Sequence, residues 1–181
     1  MRTIHATAPC RINDIGGWTD TRFSRYGAVC SIAVYPGAEV SILIGAYDGI
    51  RVALDSYGEI YDMNDQLLKK HHPFIYDAIY RNTTEEDRLS ITIGSHMPPG
   101  ASTGTSAAVI VALIGALREA AEMPFDRYLV AKQARAIETE LWYESGIQDQ
   151  VAAAFGGISF ISIPEYPRFE REAVEVSDET K

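Results

Sequence analysis

Met97-Pro98-Pro99-Gly100-Ala101-Ser102-Thr103-Gly104-Thr105-Ser106-Ala107-Ala108 puts two glycines and four hydroxyl residues between two periodic segments. The run before it, Leu89–Ile93, alternates apolar and polar residues and predicts a strand. The Ala-rich stretch Ser102–Ala121 predicts a helix. Glycines let a backbone approach an anion closely, and several N–H groups can then point into one concavity. The helix opens with the positive end of its dipole toward that concavity. By composition the loop is a phosphate cradle. It is not a Walker A loop, because no Lys follows Gly104. The plain alternative is a polar turn leading into a capped helix.

A second rival comes from the same residues. Gly100-Ala-Ser102-Thr-Gly104 matches G-x-S-x-G, the nucleophile elbow of α/β-hydrolases. That mechanism needs a His after the Ser in chain order. All four histidines, His5, His71, His72 and His96, precede Ser102. Pro98-Pro99 also disrupts the tight turn that exposes such a Ser, so the hydrolase reading is set aside.

Upstream of the loop, strands dominate. Arg2–Ile12 is β-rich. Ala28–Tyr35 and Ala38–Ile44 are apolar runs separated by Pro36-Gly37, which predicts a turn. Ile50–Leu54 and Glu59–Met63 predict short strands around a turn at Ser56-Tyr57-Gly58. Gln66–Arg81 has helical spacing, and Pro73 kinks or divides it. Downstream, Asp126–Leu141 puts Val130, Ala134, Ile137 and Leu141 on one helix face, with Asp126 as N-cap. A short helix, Gln148–Phe155, stops at Gly156-Gly157. Ile158–Ile163 alternates as a strand, and Phe169–Val176 is a candidate for one more. The acidic segment Pro164–Lys181 shows no closing element.

Composition narrows the function classes. The chain has 181 residues, 46% apolar and 23% charged, the profile of a globular domain that buries roughly 70% of its unfolded surface. Sixteen Lys and Arg against twenty-five Asp and Glu give a net charge of −9. Nucleic acid and anionic membranes both call for a basic footprint, so neither is an expected partner. A phosphate substrate stays open, since Mg²⁺ supplies positive charge locally. Cys10 and Cys30 are too few for a disulfide scaffold and spell no zinc motif. The amino terminus lacks a signal-peptide run, and the longest apolar stretch, Ala107–Leu117, is far shorter than the ~20 residues of a membrane helix. The expected compartment is the cytoplasm.

Two further constellations can carry chemistry. Glu138 falls near a helix end, and Asp149 falls at the break that opens the next helix. Two such carboxylates can divide work, one holding Mg²⁺ against phosphate and the other orienting or deprotonating a hydroxyl. The plain readings are a solvated helix face and a first-turn dipole partner. The segment Ala8-Pro-Cys-Arg11-Ile-Asn-Asp-Ile-Gly16-Gly17-Trp18-Thr19-Asp20 places an Arg in a strand, then Gly-Gly, then a polar end. That suits a small polar ligand, with Asp accepting two sugar hydroxyls and Trp covering a sugar face. His71-His72 reads as surface or turn, because adjacent helical residues point to different sides.

Together these three segments, in this order, resemble the GHMP kinases, the superfamily of galactokinase and of homoserine, mevalonate and phosphomevalonate kinases. The middle motif is that family's ATP-binding loop, often Gly-Leu-Gly-Ser-Ser. Here Ser102 stands at its first glycine and Thr103 at its Leu. Gly16-Gly17-Trp18-Thr19-Asp20-Thr21, with Gln148-Asp149-Gln150, is most similar to the fucokinase and heptose-7-phosphate kinase branch. The resemblance implies an α+β fold of the ribosomal protein S5 domain 2-like type, a mixed sheet packed with helices. It implies that Gly100, Ser102, Gly104, Thr105 and Ser106 cradle ATP, that Ser106 and Glu138 hold Mg²⁺, and that Asp149 is the base or orienting carboxylate. It places Arg11 near the transferred phosphoryl, and Gly17, Trp18, Asp20 and Gly146 around a sugar or sugar phosphate. Residues 1–163 would form the N-terminal ATP-binding domain, and 164–181 would start the connection to a C-terminal domain. The implied activity is phosphorylation of a sugar hydroxyl, the anomeric one in particular. Ser102 and Thr103 also motivate an alternative, a regulatory protein that senses sugar and ATP without turnover.

Overall fold

The computed structural model describes residues 2–98, 101–141 and 146–177. Among them the elements run β1 (Arg2–Ile15), β2 (Gly27–Ile44), β3 (Ile50–Leu54), β4 (Glu59–Asp62), α1 (Gln66–His71), α2 (Pro73–Tyr80), β5 (Leu89–Ser95), α3 (Thr105–Ala120), α4 (Arg127–Glu140), α5 (Gln148–Phe155), β6 (Ile158–Glu165) and β7 (Arg168–Ala173). The fold is α+β, as the resemblance implies. Pro73 divides the helical segment into α1 and α2 and sits in the first turn of the second, where its missing N–H costs nothing.

Strand β2 is the spine. Antiparallel β1 runs along one edge from Arg2↔Ile44 to Ile15↔Cys30. The other edge is shared, with β5 on Ala38–Ile44 and β6 on Gly27–Ile32. Beyond β5 lie β3 and then β4, and beyond β6 lies β7. Only the β3–β5 pair is parallel among the described strands. Strand β7 keeps Arg168–Ala173 in the sheet, inside the segment that the resemblance makes the start of a connection.

The predicted turn at Pro36-Gly37 is not formed, and β2 continues through it. Tyr35, Pro36 and Gly37 lie opposite Pro9 alone, because the register steps from Ala8↔Ala38 to Cys10↔Val34. Neither proline has an N–H to give to the ladder. A bulge with three residues against one absorbs both, so the chain bends without reversing.

Alternation sends Ile50, Val52 and Leu54 of β3, and Leu89, Ile91 and Ile93 of β5, into the core. Helix α3 covers this sheet, packing on β1, β2 and β5 and against α2, α4 and α5. Covered on both sides, it buries Ala107, Ala108, Ile110, Leu113, Ile114 and Leu117. Helix α4 buries Val130, Ala134 and Ile137 of the predicted face, Leu141 follows as its half-buried C-cap, and Asp126 caps the start through Leu129 N–H at 3.1 Å. A smaller cluster, Val29, Ile147, Val151, Ile161 and Ile163, seats α5 on β2 and β6. The fold thereby brings the starts of α3 and α5 to the same end of β1.

Candidate active site

Arg11 is the hub of the site. Its backbone N–H donates to Thr103 O at 2.8 Å, and its guanidinium NH1 donates to Ser102 O at 2.9 Å. Its Nε donates to Asp149 Oδ1 at 2.7 Å. One β1 residue therefore binds the glycine-hydroxyl loop to the first turn of α5. Helix α3 starts at Thr105 rather than at Ser102, because Ser102 and Gly104 have φ of 56° and 70° and cannot be helical. Gly104 is the N-cap, and no side chain caps the helix. The N-cap position therefore places no side chain over the first N–H groups of α3. A Cβ at Gly104 would lie 3.2 Å from Asp149 Cγ and 3.3 Å from Arg11 Cγ. Left-handed backbone and close approach both call for glycine there.

Ser102 occupies the left-handed region with a side chain, which costs about 1–2 kcal/mol. Ser102→Gly is expected to remove that strain against a smaller loss from the freer unfolded chain. The net expectation is a melting temperature raised by about 2 °C, read by thermal unfolding. A lower melting temperature would show that the Ser102 side chain supports the loop.

Ser106 Oγ donates to Glu138 Oε1 at 3.2 Å, and Gln150 Nε2 donates to Glu138 Oε2 at 2.7 Å. Ser106 Oγ and Glu138 Oε1 are hard oxygen donors beside the glycine-hydroxyl loop. Adjacent corners of an octahedron with Mg²⁺–O bonds near 2.1 Å lie about 3 Å apart, so Ser106 Oγ and Glu138 Oε1 fit two neighbouring ligand positions. Among the described residues no group of three or more His, Cys, Asp or Glu can hold a metal. Such a two-oxygen site suits Mg²⁺ that takes its remaining ligands from phosphate and water.

Asp20 is only 1% exposed. Its Oδ2 accepts the backbone N–H groups of Ile147 at 2.6 Å and Gln148 at 2.9 Å, and Oδ1 faces Gln148 Nε2 at 3.4 Å. Burial pushes its carboxyl above the ordinary value. The N–H groups of Gln148 and Ile147 pull it back, and the negative charge of Asp149 adds a smaller upward push. Gly146 lies against this carboxylate. Gly17 O accepts from Gln148 Nε2 at 3.3 Å. Trp18 is 72% exposed at the mouth of the site. Gly100 lies outside the described residues.

A cavity of about 670 Å³ opens beside Arg11, Ser106 and Asp149, while Glu138, Gly17, Asp20 and Gly146 do not line it. Its lining includes Arg11, Trp18, Asp149, the loop from Ala101 to Ser106, and Tyr57, His72 and Phe74. His72, read from sequence as surface or turn, bonds Glu59 at 2.8 Å, with the Tyr57 and Tyr61 rings 5.2 and 5.8 Å away. The His72 imidazole and the Tyr61 hydroxyl hold the Glu59 carboxyl below its ordinary value. Sequence reasoning did not reach Tyr57, His72, Phe74 or the roles of Gln148 and Gln150. The one signal was Pro73, whose break in the helix brings His72 to the cavity.

Residues 67–157 match the sequence profile of the GHMP kinases N terminal domain. The chain is 31% identical over 177 residues to a D-glycero-alpha-D-manno-heptose 7-phosphate kinase of Campylobacter jejuni, covering 89% of this chain and 51% of that protein. The chain belongs to the GHMP kinase family. A bifunctional fucokinase/GDP-fucose pyrophosphorylase of Arabidopsis thaliana is 25% identical over 182 residues, covering 89% of this chain and 17% of that protein. The crystal structure of a D-glycero-D-manno-heptose 1-phosphate kinase from Bacteriodes thetaiotaomicron superposes with a TM-score of 0.83 at 22% identity, covering 97% of this chain and 61% of that one. The chain spans about half the length of the heptose 7-phosphate kinase. These relatives fit the sugar-kinase branch of the GHMP family and the S5 domain 2-like fold.

Proposed function

We propose that this chain is the nucleotide-binding part of a kinase that uses ATP and Mg²⁺ to phosphorylate a hydroxyl of a sugar or sugar phosphate, the anomeric hydroxyl in particular. The observation that carries the reading is the Arg11–Asp149 pair, held at 2.7 Å against the loop at Gly104. Gly100, Ser102, Gly104, Thr105 and Ser106 cradle the phosphates, with the N–H groups at the start of α3. Ser106 and Glu138 hold Mg²⁺, which when bound offsets the charge that builds on the phosphates. Tyr57, His72 and Phe74 receive the base. Asp149 orients the attacking hydroxyl or takes its proton, and Arg11 faces the transferred phosphoryl. The protein contributes position and charge, with little covalent chemistry of its own.

Gly17, Trp18 and Gly146 border the sugar, with the Trp18 ring over one sugar face. Asp20 shapes that surface from beneath through Gly146 and Gln148. Ile12, Ile15, Phe23, Tyr26 and Tyr35 are exposed, apolar side chains suited to cover by the C-terminal half that a protein of the relatives' length would supply. Among the described residues no helix is long and apolar enough to cross a membrane. Cys10 and Cys30 are both free thiols, which agrees with the cytoplasm, where ATP is supplied.

A coupled ADP-release assay on the complete protein with a panel of sugars and sugar phosphates tests the reading. Sugar-dependent ADP release at turnovers of about 1–100 s⁻¹ is expected. Sugar-dependent ATP binding with no ADP release would overturn it in favour of a sensor.

A further inference from the structure

Three consecutive side chains at the start of α5 reach three different parts of the site. Gln148 meets Gly17 and Asp20, Asp149 meets Arg11, and Gln150 meets Glu138. A helix turns about 100° per residue, so neighbours diverge in this way. Gln150 is 1% exposed and Glu138 is 7% exposed. The contact between them, from Gln150 Nε2 to Glu138 Oε2 at 2.7 Å, is shorter than the one that Glu138 Oε1 makes with Ser106 Oγ, at 3.2 Å.

We propose that Gln150 is a positioning residue for the metal-binding carboxylate, anchoring Glu138 Oε2 so that Oε1 stays fixed beside Ser106 as a single ligand position. The proposal rests on the reading of Ser106 and Glu138 as the Mg²⁺ ligands. The terminal torsion of a Glu is broad, so an unanchored carboxylate would lose rotational freedom on meeting the ion. Gln150 removes that freedom beforehand. Its amide is a neutral donor. A Lys or Arg in its place would bind the carboxylate as well but would repel the cation. The anchor also lies on the same helical turn as Asp149, so the carboxylate beside the phosphates and the one that faces the hydroxyl share one rigid support.

The test is a titration of Mg²⁺, or of Mn²⁺ followed by electron paramagnetic resonance, into the complete protein with a non-hydrolysable ATP analogue. Gln150→Met keeps length and volume and removes the donor. Ion affinity is expected to fall about 10- to 100-fold, the usual effect of losing an outer-shell partner, while metal-free nucleotide affinity is unchanged. Glu138→Gln is measured in parallel. If Glu138→Gln leaves ion affinity intact, the metal-site reading itself fails. If Glu138→Gln weakens the ion and Gln150→Met does not, the role of Gln150 is overturned. An equal loss of metal-free nucleotide binding in Gln150→Met makes Gln150 merely structural and also overturns it. Should the Met variant not fold, Gln150→Asn, which withdraws the amide by one methylene, is expected to show the same selective loss, and normal ion affinity in it would overturn the proposal.

Discussion

Asp149→Asn is expected to cut phosphoryl transfer in the complete protein by about 10³–10⁴-fold while nucleotide binding persists. The amide oxygen of Asn can still accept from Arg11 Nε, as Asp149 Oδ1 does at 2.7 Å. The loop and α5 therefore stay joined, and the fold is expected to survive. An amide oxygen is too weak a base to take a proton from a hydroxyl, and it carries no charge with which to orient one. Magnitudes separate this from the plain reading of Asp149 as a partner of Arg11. The Arg11–Asp149 pair is partly buried, and a hydrogen bond between charged groups contributes about 1.5–3 kcal/mol, still less than the ~4 kcal/mol that 10³ in rate represents. Coupled ADP release gives the rate, and calorimetry with a non-hydrolysable analogue gives the binding. Turnover within tenfold of the unaltered protein would reject the role of Asp149.

Much of the fold is legible in the sequence because its signals are local. Apolar alternation marks β3 and β5, Asp126 marks the start of α4, and Gly156 marks the end of α5. The Pro36-Gly37 turn failed for a non-local reason. Nothing within β2 says that Pro9 will lie opposite, and the bulge exists only in the pair. The site divides the same way. Its loop stands out as glycines and hydroxyls between a strand and a helix, a pattern that a plain polar turn shares, and it was the resemblance carried by the order of the motifs that brought Arg11, Glu138 and Asp149 to it. Partnerships across long separations were not legible. Asp20 looks like the polar end of a turn, yet it accepts N–H groups 127 and 128 residues further on. Likewise, His72 gains its partners from strand β4 and from the turn before it.

Gly146→Ala is expected to damage both stability and turnover, and the reason is room rather than backbone freedom. A Cβ at this position would lie 2.7 Å from Asp20 Cγ and closer still to Asp20 Oδ2. Asp20 is a short, buried side chain whose two torsions can yield only by breaking its bonds from the N–H groups of Ile147 and Gln148, so the added methyl drives it off them. Each buried donor left without an acceptor costs about 1–3 kcal/mol, so the loss is expected to be on the order of 2–6 kcal/mol, well beyond an ordinary surface change. The two donors open α5, one and two residues before Asp149. A shift there moves the Asp149 carboxylate against the loop, and a displacement of about 1 Å can cost 10² in rate. Thermal unfolding and ADP release measure the two effects. Asp20→Ala isolates the mechanism, since it removes the same acceptor without the clash. If the methyl acts by expelling Asp20, adding Gly146→Ala to Asp20→Ala costs little more, because the atoms it would strike are gone. Full additivity of the two substitutions would mean that the methyl does not act through Asp20 and that Gly146 is needed for some other reason.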